Sequence, residues 1–149
     1  MKYVVCDIDG TLTKVGDRLK YIQESKNWDE FYAHCGEDKP NNPICVLIGI
    51  LVDRHIGILL CSGRRESCRE DTYKWLHKYD LDVSTALGLR ANDDRREDAE
   101  VKPEILYRMM QDHGIVKDDI LFILEDRASM VKKWRELGYP CLQVAEGAY

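Results

Sequence analysis

No stretch of this chain is long and apolar enough to cross a bilayer, and Met1-Lys2 leads directly into an apolar run with no signal-peptide pattern. The expectation is a cytoplasmic protein with no membrane partner. The six cysteines, Cys6, Cys35, Cys45, Cys61, Cys68 and Cys141, include no Cys-x-x-Cys, which argues against a zinc ribbon or a dithiol redox motif. Several sit in apolar runs, where a thiol packs as a small hydrophobe, so reduced cysteines are expected. Basic charge is also in deficit: 22 Lys and Arg face 27 Asp and Glu, a net −5. Strong duplex DNA binding needs a basic face and is not expected, although a local basic patch at one mouth of the fold is compatible with this balance.

What the chain does have is alternation. Residues 2–6, 56–61, 82–87, 120–124 and 141–145 read as strands, with 120–124 the clearest and 82–87 the weakest. Helices are expected over residues 44–55, opened by Pro43, and over 66–79, where Cys68, Thr72, Trp75, Leu76 and Tyr79 recur at helical spacing. Pro103 starts another, with Ile105, Leu106, Met109, Met110 and His113 on one face, and residues 128–137 form the last, stopped by Gly138. Residues 90–100 read as a charged, solvated loop, and 14–42 as a polar, aromatic-studded insert. The 149 residues suffice for one domain with a real core. Apolar strands alternating with helices give a three-layer α/β fold, a parallel sheet with the first strand central and both faces covered. Ligands of such sheets lie beyond the carboxyl ends of the strands.

Polar residues gather at those ends. Asp7-Ile8-Asp9-Gly10-Thr11-Leu12-Thr13 follows the first strand, Cys61-Ser62-Gly63-Arg64 the second, and Glu125-Asp126-Arg127 the strand over 120–124. Glu100-Val101-Lys102-Pro103 opens a helix. Asp7 and Asp9 point to one side if extended geometry persists, and two close carboxylates need a cation or a proton between them. Gly10 permits a sharp turn. The Ser62 hydroxyl, next to a glycine, suits a phosphate oxygen, helped by nearby backbone amides. A lysine opening a helix opposes the dipole unless it faces an anion, which marks Lys102. Adjacent carboxylates at a strand end suit a hard cation. Taken singly, each piece has a plain explanation: an Asp-Gly turn, a Ser-Gly turn, a solvated lysine, a helix cap. Their joint occurrence at strand and helix boundaries is the signal.

In this order the four segments resemble those of the haloacid dehalogenase (HAD) superfamily of phosphohydrolases. The likeness narrows to the 3′-phosphatase domain of bacteriophage polynucleotide kinases. It runs through Arg18, Ser62-Gly63-Arg64-Arg65-Glu66, Asp98 four residues before Lys102, Val131-Lys132-Lys133-Trp134-Arg135 and Leu142-Gln143-Val144-Ala145-Glu146-Gly147. The resemblance implies a Rossmann-like HAD domain over residues 1–149, with 14–42 as a small cap insert. It implies Asp7 as the nucleophile that becomes an aspartyl-phosphate, and Asp9 as the acid and base, keeping its proton near neutral pH. It implies Ser62 and Lys102 as neutralisers of phosphoryl oxygens, and Mg2+ held by Asp7, Asp126 and the main-chain carbonyl of Asp9. Arg18, Gly63 and Arg64 would bind the phosphate end of the substrate at the mouth, and Asp98 would support Lys102.

Two features depart from that family. Glu125 stands where an aspartate is usual, and its extra methylene moves the carboxylate. Asp126 is therefore expected as the direct ligand, with Glu125 outside it or acting through water. No Gly-x-x-x-x-Gly-Lys-Ser/Thr occurs, so no kinase half accompanies the phosphatase, and a separate kinase partner would leave no trace here. In the insert, Trp28, Phe31 and Tyr32 could stack a base, although gluing a short cap to the core is the simpler role. His34 reads as a surface residue, and His55, His77 and His113 carry no partner pattern.

Three functions fit these residues: a Mg2+-dependent phosphatase of 3′-phosphate ends, a phosphatase of mononucleotides or other small phosphate esters, and a non-catalytic phosphate-binding module. Intact Asp7, Asp9, Lys102 and Asp126 favour catalysis, since a binding module needs no nucleophile with an acid/base beside it.

Overall fold

The structure, a computed structural model, describes residues 1–82 and 86–147. β1 (Tyr3–Cys6) is an apolar run whose last three residues are buried. A two-stranded antiparallel ribbon follows, β2 (Thr13–Lys14) with β3 (Lys39–Pro40); the chain between them carries α1 (Lys20–Gln23) and α2 (Trp28–Ala33). Then come α3 (Asn42–Asp53), β4 (Gly57–Arg65), α4 (Arg69–Lys78), β5 (Ala86–Arg90), α5 (Asp98–His113), β6 (Ile120–Glu125), α6 (Ala128–Glu136) and β7 (Cys141–Gln143). The main sheet has the order β5-β4-β1-β6-β7, and each neighbouring pair is parallel.

Period-two alternation along the strands builds a core on each face. Val5, Leu59, Cys61 and Ile123 pack with Ile105, Leu106 and Met109 of α5 and with Met130 and Trp134 of α6. Val4, Cys6, Ile58, Leu60 and Leu124 pack on the other side, with Ile48 of α3 and Trp75 and Leu76 of α4. The six cysteines are free thiols, all buried except the half-buried Cys45. No helix among the described residues is long and apolar enough to cross a membrane.

The three-layer α/β arrangement with a central first strand is the one the alternation implies, but several boundaries differ. β4 continues to Arg65 instead of ending at Cys61, with Ser62, Gly63 and Arg64 buried and Arg65 paired with Arg90 after a register shift. The polar tip stays extended because it finds partners: the Tyr32 hydroxyl and Arg90 Nε donate to the Gly63 carbonyl at 3.1 and 2.7 Å. α5 begins at Asp98, and Pro103 lies inside it rather than at its start. The Glu97 carbonyl accepts from the amides of Glu100 and Val101 at 3.0 and 3.2 Å, and Asp98 and Glu100 in the first turn suit the dipole. Lys102 is therefore in the second turn, and the expected loop over 90–100 shrinks to 91–97. His113, expected on the apolar face, is exposed. Of the strand expected over 82–87, residues 83–85 lie outside the described residues; β5 runs on to Arg90.

β5 and α5 touch closely at Gly88. A Cβ there would collide with Ile105 Cγ2 and stand 2.8 Å from Met109 Sδ. Gly88→Ala is expected to destabilise the fold by about 1–3 kcal/mol through overpacking. The readout is a lower urea midpoint with an unchanged m-value.

Candidate active site

The end of β1 makes the floor of the site. The Asp7 amide donates to the Leu124 carbonyl at 3.0 Å, continuing the ladder to β6. The chain then winds about one carbonyl: Ile8 accepts from the amides of Thr11, Leu12 and Thr13 at 3.1, 2.9 and 3.0 Å. Gly10 turns at φ 85°, and a Cβ there would collide with the Asp126 carboxylate. This winding sends Asp7 and Asp9 into different surroundings.

Asp7 joins a lysine and two acids. Lys102 Nζ donates to Asp7 Oδ1 at 2.7 Å and to Glu125 Oε2 at 2.9 Å, and all three residues are buried. Thr11 Oγ1 lies 3.1 Å from Asp7 Oδ2 and 3.3 Å from Asp126 Oδ1. One oxygen each from Asp7, Glu125 and Asp126 lies within 4.8 Å of the others. One ammonium thus faces three carboxylates. Burial and the neighbouring Glu125 push Asp7 well above the usual carboxylate range and Asp126 up to about 6. Glu125 escapes: burial acts against its charge, but Lys102 outweighs it and holds it low. A crowded, acidic, all-oxygen donor set is what a hard divalent cation fits. Glu125 lies within this set rather than outside it, with Oε2 on Lys102 and Oε1 accepting from the Asp126 amide at 3.2 Å.

Asp9 joins two arginines. Its Oδ1 accepts from Arg18 Nη2 at 2.6 Å, Arg64 Nε at 3.0 Å and Arg64 Nη2 at 2.6 Å. Asp38 holds Arg18 from the other side, accepting from Nε at 2.8 Å and Nη2 at 2.6 Å. Arg64 also donates to Thr72 Oγ1 at 2.9 Å and the Cys35 carbonyl at 3.2 Å. Burial pushes the Asp9 carboxyl up, but Arg64 and Arg18 overcome it and hold the pKa at about 2. The expectation that Asp9 keeps a proton near neutral pH is therefore corrected. Its immediate neighbours are guanidiniums, not the other carboxylates. The expected position of Arg18 and Arg64 at the mouth is corrected as well. They are 4% and 1% exposed, sit behind Asp9, and do not line the cavity.

A cavity of about 420 Å³ opens above Asp7, Asp9, Ser62, Gly63 and Lys102. Trp28, Phe31 and Tyr32 form one wall, and residues of the 91–97 loop with Arg90 and Arg127 form another. Ser62 Oγ accepts from the Arg64 amide at 3.1 Å. Asp98 does not bond to Lys102 as expected. It pairs with Arg90 Nη2 through Oδ1 and with Arg127 Nη1 at 2.9 Å through Oδ2, acting on Lys102 only as a nearby charge. A Cβ on Gly63 would collide with Asp98 Oδ1, so this glycine makes room for the acid. Thr11, Asp38 and Arg90 were not singled out by the sequence reading. Arg90 had a faint signal, as the first charged residue after the apolar run 86–89; Asp38 had none.

The whole chain, residues 1–149, matches the sequence model of the polynucleotide kinase PNKP phosphatase domain. The chain belongs to this family. It is a phosphatase of the HAD superfamily. A protein of Autographa californica nuclear polyhedrosis virus, named as a candidate bifunctional polynucleotide kinase/RNA ligase, is 25% identical over 138 residues, 92% of this chain and 18% of that protein. A chain of the solved Pnkp1/Rnl/Hen1 RNA repair complex is 30% identical with a TM-score of 0.80, over 99% of this chain and 43% of that one. A solved structure from Clostridium acetobutylicum, named as a candidate phosphatase, shares the fold at 15% identity and a TM-score of 0.72, over 95% of this chain and 83% of that one. The chain thus spans less than half the length of the first two relatives.

In this PNKP-family phosphatase the arginine pairing of Asp9 has a measurable pH signature. The folded pKa of about 2 lies below the unfolded 3.8, so the pairing adds stability that is complete above the unfolded value and lost as pH falls toward the folded one. Urea unfolding of wild type and Asp9→Asn at about pH 5 and about pH 2 reads it. The stability advantage of wild type is expected to shrink by about 1–2 kcal/mol on going to the lower pH.

Proposed function

We propose that the protein is a Mg2+-dependent polynucleotide 3′-phosphatase that works through an aspartyl-phosphate on Asp7. The observation that carries the reading is the division of labour between two aspartates facing one cavity: Asp7 set among Lys102, Glu125 and Asp126, and Asp9 set between Arg18 and Arg64. The nucleic-acid substrate is supported by the polynucleotide kinase and RNA repair in the relatives' names, and by the aromatic and basic walls. Residues 14–42 serve as a small cap on a single HAD domain.

Asp7, Asp126 and the main-chain carbonyl of Asp9 would hold Mg2+, with Glu125 alongside and tied to Lys102. When bound, the cation supplies charge neutralisation, removing the repulsion between an anionic phosphate and a carboxylate nucleophile. Lys102 fixes Asp7 through Oδ1 and, with the Ser62 hydroxyl, offers donors to the phosphoryl oxygens. Asp7 attacks phosphorus in line, the bond to the 3′-oxygen breaks, and the phosphoryl group passes to the carboxylate. Water then attacks the aspartyl-phosphate and gives its proton to Asp9, which the arginines keep ionised and ready as a base. For the earlier step Asp9 must donate a proton to the leaving oxygen. The arriving phosphate raises its pKa, since a nearby anion disfavours a second negative charge, so Asp9 takes up a proton from solvent as substrate binds and passes it to the leaving oxygen.

Phosphate release from a 3′-phosphorylated oligonucleotide, with Mg2+ and then with chelator, is the direct test. Free mononucleotides turning over far better than the oligonucleotide would reassign the enzyme as a nucleotidase. Asp7→Asn is expected to abolish turnover with the circular dichroism spectrum intact. Asp9→Asn is expected to lose roughly 10²–10⁴-fold, and less for a leaving group that needs no proton.

The acidic cluster predicts a thermal response to metal. Asp126 has a folded pKa of about 6, above the unfolded 3.8, so its ionisation costs the folded state, increasingly as pH rises through that interval. Mg2+ is expected to raise Tm more at about pH 7.5 than at about pH 5, and Asp126→Asn is expected to shrink the difference, Asp7, whose pKa is also raised, carrying the rest.

A further inference from the structure

The three aromatic residues on α2 do different jobs. Phe31 is buried, with the Arg18 guanidinium 4.2 Å from its ring centroid, and closes the insert onto the core. Trp28 and Tyr32, one turn apart, are half-buried and line the cavity, their ring centroids 6.0 Å apart and their planes 26° from parallel. Tyr32 is held in place by its hydrogen bond to the Gly63 carbonyl and by the Arg65 guanidinium 5.1 Å from its ring centroid.

The opposite wall is just as firmly built. Arg90 donates to the carbonyls of Asp94 and Arg96 at 3.2 and 2.6 Å, while Arg96 pairs with Asp94 and Glu104 at 2.9 and 2.7 Å. This scaffold carries Arg95, whose guanidinium donates to the Asn92 carbonyl at 3.0 Å. Arg65, Arg90, Arg96, Lys102 and Arg127 each have a carboxylate partner. Lys26 and Arg95 also line the cavity, both exposed, and neither has a carboxylate within 4.0 Å among the described residues.

We infer that Trp28 and Tyr32 form a stacking platform for the terminal base of a single-stranded polynucleotide end, and that Lys26 and Arg95 bind the phosphodiester on its 5′ side. The inference rests on the 3′-phosphatase reading and specifies how that site selects its substrate. A phosphoryl group fills only the floor of the cavity. Above it stand a flat aromatic surface and two exposed cations that close no ion pair within 4.0 Å among the described residues, Arg95 feeling Asp29 only as a nearby charge; together they are the complement of a base followed by an anion. Among the described residues the cavity walls hold no second pair of such cations, so the proposed contact ends with the second nucleotide, in keeping with a chain of net charge −5.

The test compares kcat/KM for wild type, Trp28→Ala, Trp28→Phe and the Lys26→Ala/Arg95→Ala double variant. The substrates are a small alkyl phosphate, a nucleoside 3′-monophosphate, a 3′-phosphorylated dinucleotide, and the same dinucleotide lacking its terminal base, in ribose and deoxyribose forms. Trp28→Ala is expected to lower the ratio of dinucleotide to alkyl phosphate kcat/KM about ten- to a hundredfold, with much of it restored in Trp28→Phe. The ratio for the abasic dinucleotide is expected to hold. The double variant is expected to lower the ratio of dinucleotide to nucleoside monophosphate about tenfold, through KM. Proportional losses on every substrate would overturn the platform, because Trp28 would then only prop the fold. A wild type that prefers the dinucleotide, with neither variant moving these ratios, would overturn the platform and leave the 3′-phosphatase reading standing. A wild type that hydrolyses the alkyl phosphate but no 3′-phosphorylated nucleotide would sink both.

Discussion

Lys102 reaches from α5 to bridge Asp7 at the end of β1 and Glu125 at the end of β6. Burial disfavours its charge, but the two carboxylates outweigh that and keep it an ammonium. Removing one partner of such a buried pair leaves an uncompensated charge, a loss of about 3–5 kcal/mol. Asp7, Glu125 and the sheet edge are therefore secured by the same atom. A phosphate arriving in the cavity meets a positive charge already fixed in place, so little reorganisation is left for the reaction itself.

The second charged assembly fastens the insert. Arg18 and Asp38 belong to it, Asp9 lies in the turn after β1 and Arg64 in β4, and the four are joined by hydrogen bonds of 2.6–3.0 Å. Phe31 covers Arg18, so apolar and ionic contacts close the same seam. Asp9, the proposed acid and base, is thus oriented partly from the insert, and the aromatic wall of the cavity is anchored to the same ionic cluster.

Much of this was legible in the sequence because strand ends are marked twice, by the close of an apolar run and by the polar residue that follows. Asp7 and Asp126 carried that mark, Lys102 was picked out instead by its place near a helix start, and the structure brings the three together. The tip of β4 was not legible: Ser62, Gly63 and Arg64 carry no apolar side chain, and their burial depends on Tyr32 and Arg90, distant in sequence. The orientation of Arg18 and Arg64 away from the mouth was hidden for the same reason, since Asp38 has no local pattern that announces it. Spacing along a chain reports which side chains avoid water. It does not report which distant charges neutralise one another, and the ionisation of Asp9 was misjudged on that account.

The position of β1 sets the order in which the molecule can become whole. The strand is made before its neighbours in the sheet, β4 and β6, and β6 begins only at Ile120. Asp7 waits 95 residues for Lys102, and Thr11 waits 115 for Asp126. On a ribosome the central strand emerges with both edges open and its acids uncompensated. Contacts of such long range come late and are formed slowly. A nascent chain halted before β6 would expose a flat apolar edge bordered by carboxylates, a form that invites capture by a chaperone or by another unfinished copy.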